Sequence, residues 1–319
     1  MTDGVRISIA RATAAWRAHW FAPAPLSDLA VARVLLAVIV LCLNGRIRFY
    51  GIARAPALAW EPVPLIELLG ITQPSIEVVR LASRATQLAL VASILGLFTN
   101  VALGCAFVLQ LLQEGLLNCF GKVTHSTIPL MHAMLFYALA PCGRVLSLDA
   151  WRRARRARRD GTHELAAASV RLSRHARWPF ELLFIELAFY YFDAGLSKLA
   201  AGGLAWADGN TLQYHLLREG HVAGSLVAQH RWLCALLSTG ALAFELGFPL
   251  AIFVRRLRPL FLATGVCFHL ANHFLLNLIF WPVLAVYPLV VPASQIVGWL
   301  RATVPFMMSP ITIPRGLPR

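Results

Sequence analysis

Residues 28–45 read DLAVARVLLAVIVLCLNG. A helix crosses the hydrocarbon core of a bilayer with about 20 mostly apolar residues, and this stretch has that length and character. Seven more stretches of the same kind follow, at 85–99, 101–117, 127–143, 179–199, 232–254, 259–278 and 281–299. The first and the last two are clearest on apolarity alone. Only Phe98-Thr99-Asn100 separates the second stretch from the third, so they read either as two spans or as one broken segment. None of the runs alternates with period two, as barrel strands would. Composition agrees: 58% of the 319 residues are hydrophobic and 14% charged, with a mean hydropathy of +0.65. A soluble chain carries about 45–50% apolar and about 25% charged residues. A cytosolic enzyme, a disordered tail and a collagen-like rod are excluded. The expectation is an all-α, polytopic integral membrane bundle of about eight transmembrane helices.

The net charge of +14 has a topological reading. Nucleic-acid binders gather basic residues on a solvated face, whereas here Arg flanks the apolar runs. Arg6, Arg11 and Arg17 precede the first run, Arg152 to Arg177 follow the fourth, Arg255, Arg256 and Arg258 follow the sixth, and Arg301 follows the last. With eight spans all four sites fall on one side, which the positive-inside rule makes cytoplasmic. The sequence thus divides into a basic amphipathic segment at 1–25, a transmembrane domain at 26–300 and a cytoplasmic tail at 301–319. An Arg-rich cytoplasmic loop at 150–178 interrupts the membrane domain. The expected location is the cell membrane, with both termini cytoplasmic. The expected partner of the Arg run is anionic membrane lipid, not nucleic acid. The small-residue box Ala57-Leu58-Ala59 lies too far past the first run to mark a cleaved signal peptide. The six cysteines form no CxxC and no metal-ligand spacing. Cys119 and Cys234 both map near the outer face, which leaves a disulfide between them open.

Ionisable groups inside spans are functional candidates, because a bilayer penalises them. They are His125 and His132 in the fourth stretch, Glu181, Glu186, Asp193 and Lys198 in the fifth, Glu245 in the sixth, and His269 and His273 in the seventh. Lys198 is singular. Of 29 basic residues only Lys122 and Lys198 are Lys, and Lys, unlike Arg, can lose its proton and act as a base. The competing reading is a side chain that snorkels from the helix end to water. The topology puts His125, Lys198, His269 and His273 on the outer side. His269 and His273, four apart, share a helix face. They lack a third ligand and the Glu of an HExxH zinc site, so no metal is expected. Glu186 and Asp193, seven apart, share another face and read as a proton relay or as neutral structural groups. Glu245 needs a partner, with Lys198, His269 and Asn272 all in contention. Gly195 permits close approach of another helix or a ligand. The Gly-rich stretch 200–210 is expected to unwind, with Trp206 at headgroup level.

Three stretches together resemble a known family. They are Tyr191-Phe192-Asp193-Ala194-Gly195-Leu196-Ser197-Lys198-Leu199 with Trp206 and Gly209, then Gly121-Lys122-Val123-Thr124-His125-Ser126, and Leu146-Ser147-Leu148-Asp149-Ala150 after Ala140-Pro141-Cys142-Gly143. Phe268-His269 and the pair Glu245 and Pro249 add to the match. The pattern is similar to the HTTM (horizontally transferred transmembrane) domain family, which includes the membrane part of vitamin K-dependent gamma-carboxylase. The resemblance implies Lys198 as the base that deprotonates a membrane quinone in its hydroquinone form. It implies His125 as an assistant and His269 as a weaker match. Asp193, Gly195, Trp206, Glu245 and His273 then make up the candidate substrate-binding set. The carboxylases continue into a large luminal domain, whereas this chain ends about 20 residues after its last apolar stretch. Two functions stay open: a quinone- or lipid-dependent enzyme of carboxylase or epoxidase type, and a non-catalytic protein that matures or exports a small secreted peptide. A carrier would call for paired broken helices or an inverted repeat, and neither is evident.

Overall fold

The computed structural model describes residues 3–44, 49–121, 123–161, 172–219, 221–278 and 280–303. Arg46, Arg48, Lys122, Arg171 and the tail at 304–319 lie outside the described residues. Helix α1 (Asp3–Phe21) leads through strand β1 (Ala24–Pro25) into α2 (Leu26–Asn44). Short helices α3 (Tyr50–Arg54) and α4 (Pro64–Leu68) precede α5 (Ile76–Leu95) and α6 (Thr99–Leu117). Then come α7 (Ile128–Leu139), α8 (Leu148–Arg159), strand β2 (Leu172–Ser173) and the 25-residue α9 (Trp178–Gly202). A 3-10 turn at Gly203–Asp208 connects to α10 (Asn210–Arg218) and α11 (Val222–Ala228). The rest is α12 (Arg231–Gly247), α13 (Leu250–Phe253), α14 (Arg258–Leu276), α15 (Trp281–Leu284) and α16 (Ala293–Thr303). The chain is all-α, 77% helical, and among the described residues the one sheet is the two-residue antiparallel pairing of β1 with β2.

Among the described residues, four helices are long and apolar enough to cross a membrane: Leu26–Asn44, Ile76–Leu95, Thr99–Leu117 and Arg255–Leu276. The pair Trp281–Leu289 and Ala293–Leu300 makes a fifth candidate, bent by 76°. The expected continuous span at 281–299 is therefore broken, with Pro292 in the break. α7 and α12 are apolar but only 12 and 17 residues long, and α9 carries four charged side chains. The expected second stretch begins at Ile76 rather than 85, because Arg80, Ser83 and Arg84 dilute the apolar count in its first turns. It is a helix separate from α6. Gly96 at φ 69° and Phe98 at φ 46° reverse the chain between them, a backbone state that glycine adopts without cost. The Arg-rich stretch is not all loop, since 148–159 form α8, which Ser147 Oγ caps by accepting from Ala150 N at 2.9 Å. Cys119 and Cys234 are free thiols rather than a disulfide. Each donates within its own neighbourhood, to Gly115 O at 3.2 Å and to Val227 O at 3.6 Å.

The core lies where α2, α7 and α9 meet α12 and α13, around Leu36, Met134, Tyr137, Phe184 and Phe248. One end of the bundle is basic and tied together. Glu181 takes hydrogen bonds from Arg177 (3.1 Å), Arg255 (3.2 Å) and Arg258 (2.8 Å), and His19 of α1 stands 3.8 Å away. Asp149 caps α6 by accepting from Thr99 N at 2.8 Å and Phe98 N at 3.0 Å. Asp28 likewise accepts from Ser294 N, at the start of α16, at 2.9 Å. Both place a carboxylate where a helix leaves N–H groups unpaired. Arg33 of α2 is fully buried and donates to Cys142 O at 3.0 Å and Leu146 O at 2.8 Å. These contacts bring the basic segments around 19, 144–159, 174–177 and 255–258 to one end. Lys198 and the turn after it stand at the other.

Candidate functional site

α9 and α12 run antiparallel, and Gly195 sets how closely they pack. A Cβ at Gly195 would stand 3.0 Å from Glu245 Cβ and 3.0 Å from Leu246 Cδ2, tighter than ordinary van der Waals contact. The absent side chain brings Glu245 beside the next turn of α9. There Lys198 Nζ donates to both carboxylate oxygens of Glu245, at 2.7 Å each. Of the three partners in contention, Lys198 takes Glu245. The Lys198 head does not snorkel outward. It bends back along its own helix, 3.4 Å from Ala194 O, toward a carboxylate that is 3% exposed.

The Gly-rich stretch does not unwind: α9 continues through Gly202 and then tightens into the 3-10 turn at Gly203–Asp208. Trp206 folds back over the pair, with its ring centroid 5.9 Å from Lys198 Nζ, within cation–π range. Gly202 makes room, since a Cβ there would meet Trp206 Cδ1 at 2.6 Å. Gly209, at φ 82°, closes the turn against the backbone of Ala235. The sequence elements Gly195, Lys198, Trp206 and Glu245 therefore form one cluster.

His125 lies beside Tyr190 of α9, with ring centroids 6.0 Å apart. His125 itself is exposed. His269 belongs to a different layer. It is buried, and its Nε2 is 2.6 Å from the hydroxyl of Tyr191, which is 2.5 Å from the hydroxyl of Tyr287. Tyr191 precedes Lys198 by seven residues, about 10 Å along the helix. Gly265 seats this chain, because a Cβ there would overlap the Tyr287 hydroxyl. His273 packs on Trp281, with centroids 5.4 Å apart. Asp193 is exposed on α9 and does not join the cluster. Glu186 Oε1 stands 2.7 Å from Nδ1 of His132 on α7. Among the described residues no three His, Cys, Asp or Glu side chains converge as metal ligands.

Several buried polar groups escaped the sequence reading. Tyr191 and Tyr287 carried one usable signal, since a Tyr hydroxyl inside an apolar run needs a partner. Arg33 and Glu114 had the same signal as the other ionisable groups. Glu114 accepts from Gln110 Nε2 at 3.1 Å and Thr127 Oγ1 at 3.3 Å, and Gln110 in turn pairs with Asn44.

A family model, that of the HTTM domain, matches residues 21–294. No curated protein and no solved structure matches the chain.

Proposed function

This chain belongs to the HTTM domain family, and on that premise we propose that it exchanges a proton with a weakly acidic, lipid-soluble ligand at the Lys198–Glu245 pair. As a family member with apolar helices it is a membrane protein related to the gamma-carboxylase membrane part. The observation that carries the proposal is the double 2.7 Å contact between Lys198 and a carboxylate only 3% exposed. We read the bundle as eight passes in the cell membrane, with the basic end and both termini cytoplasmic and Lys198 toward the outer face. The clustering of Arg at one end supports this orientation.

The residues suit a quinone in its hydroquinone form. Trp206 offers a ring face, and the ion pair offers an acceptor beside a donor. A bound hydroquinone would supply a weakly acidic hydroxyl. Lys198 becomes a base when its proton crosses 2.7 Å to Glu245, leaving a neutral amine and a neutral carboxylic acid. The ion pair is the resting state, and a poorly hydrated site keeps the neutral pair close to it in energy. Nζ then takes a proton and regains its charge, which remains beside the group that lost it. His125, exposed beside Tyr190, is the group we assign to pass that proton on to water. His269 stands a layer deeper, where its bond to Tyr191 holds the α9–α14 contact.

A lipid-soluble nitrophenol, whose anion absorbs visible light, tests this in nanodiscs. The wild-type chain should hold the anion at a pH where empty nanodiscs keep the probe neutral, and Lys198→Ala should not. Identical spectra would remove the site. Lys198→Arg should also reproduce the phenotype that deletion of the protein produces, because Arg keeps its proton at any working pH. Wild-type behaviour of that variant at equal membrane abundance would favour the second reading, a non-catalytic partner of a secreted peptide. The exposed Tyr214, Leu217, Val222 and Leu226 at the Lys198 end support that reading.

A further inference from the structure

We propose that the groove at the basic end, between α7 and α9, is a binding site for the phosphate of an anionic phospholipid. The groove has a volume of about 260 Å³. A water occupies about 30 Å³ in the liquid, so a phosphodiester with part of its glycerol fits. Its lining is divided. Arg144, His175, Ser173 and Asn100 form a polar half, and Leu139 and Trp178 an apolar one.

The polar half is built rather than incidental. Arg144 sits on a turn that other cations hold in place, with Arg33 donating to Cys142 O and Leu146 O and Arg153 donating to Gly143 O at 2.5 Å. Arg144 is exposed and makes no ion pair with a described residue. The Ser173 hydroxyl accepts from His175 N at 3.1 Å, and the Ser173 backbone is held by pairing with Ala24. The carboxyl end of α7 would repel an anion, but Asn100 Nδ2 satisfies Ala138 O and Ala140 O at 2.6 Å each. Among the described residues no carboxylate lines the groove. At the same end of the bundle, Asp149 and Glu181 are committed to Thr99 and to three Arg side chains.

Lipid rather than free phosphate follows from the apolar half. Leu139 is 69% exposed beside Trp178, an arrangement that suits an acyl chain and a headgroup-level indole. Inorganic phosphate would leave both unused. The inference depends on the membrane reading of the chain and not on Lys198 chemistry.

Native mass spectrometry of the full chain released from detergent tests it, with phosphatidylglycerol, phosphatidylcholine and inorganic phosphate as probes. One phosphatidylglycerol should survive delipidation, and phosphatidylcholine should not replace it. Arg144→Gln should weaken retention about fivefold, the worth of one Arg at an anionic surface. Arg158→Gln, on α8 and outside the groove lining, should weaken it clearly less than Arg144→Gln. Leu139→Asn should weaken lipid retention without altering the response to phosphate. Equal losses from Arg144→Gln and Arg158→Gln would reduce the effect to diffuse charge and overturn the site. Displacement of the lipid by millimolar phosphate would overturn the lipid assignment, and wild-type retention by Arg144→Gln would overturn both.

Discussion

Lys198→Ala should cost more stability than Glu245→Gln, and the two should be far from additive. At 2.7 Å and an effective dielectric of about 20, the gross attraction is about 6 kcal/mol. Desolvation of both ions offsets most of it. What a variant reveals is the charge it leaves behind. Glu245 is 3% exposed and Lys198 28%, so Lys198→Ala strands a carboxylate with no water to turn to. Breaking a fully buried pair costs about 3–5 kcal/mol. Discounting for the exposure of Lys198 brings this to about 2 kcal/mol. Glu245→Gln leaves an ammonium that can swing outward and keeps a polar partner in place, for about 1 kcal/mol. The double variant strands no charge and should cost about 1.5 kcal/mol, well under the sum of the single changes. Reversible unfolding of the purified chain in mixed micelles by denaturing detergent, followed by tryptophan fluorescence, gives the four free energies. Additivity within about 0.5 kcal/mol would mean that the two side chains do not form an ion pair in the membrane, and the site reading would go with it.

Two further outcomes follow from the basic end. Partial burial works against ionisation of Asp149, yet hydrogen bonds from Thr99 and Phe98 hold its carboxyl below the usual carboxylate range. Its contribution is therefore present above the unfolded value of about 4 and is lost as pH falls through the lower folded value. Asp149→Asn should flatten the acid limb of the stability profile, and an unchanged limb would show that the cap does not form. For topology, a cysteine at Asp208 should react with a membrane-impermeant thiol reagent on intact cells and one at Asp160 only after lysis; the reverse pattern would invert the orientation.

Some of this protein is determined by its sequence alone. Apolar runs and the placement of Arg require a helical membrane bundle with one basic end, because hydrocarbon and anionic headgroups sort residues by type before any helix meets another. Lys198 was visible for a compositional reason, as one of two Lys among 29 cations. Gly195 and the Gly-rich turn after Lys198 also announced a close approach. Tertiary structure alone decided the partners. Glu245 lies 47 positions from Lys198, and only the packing of α9 on α12 selects it over His269 and Asn272. His269 shares an expected depth with Lys198, yet it joins Tyr191 and Tyr287, since one turn of helix changes which neighbour a side chain meets. Apolarity also carries no direction. It marked 281–299 as one span but could not report the 76° bend within it, because a bend depends on what each half packs against, and at the start of α16 that is the carboxylate of Asp28.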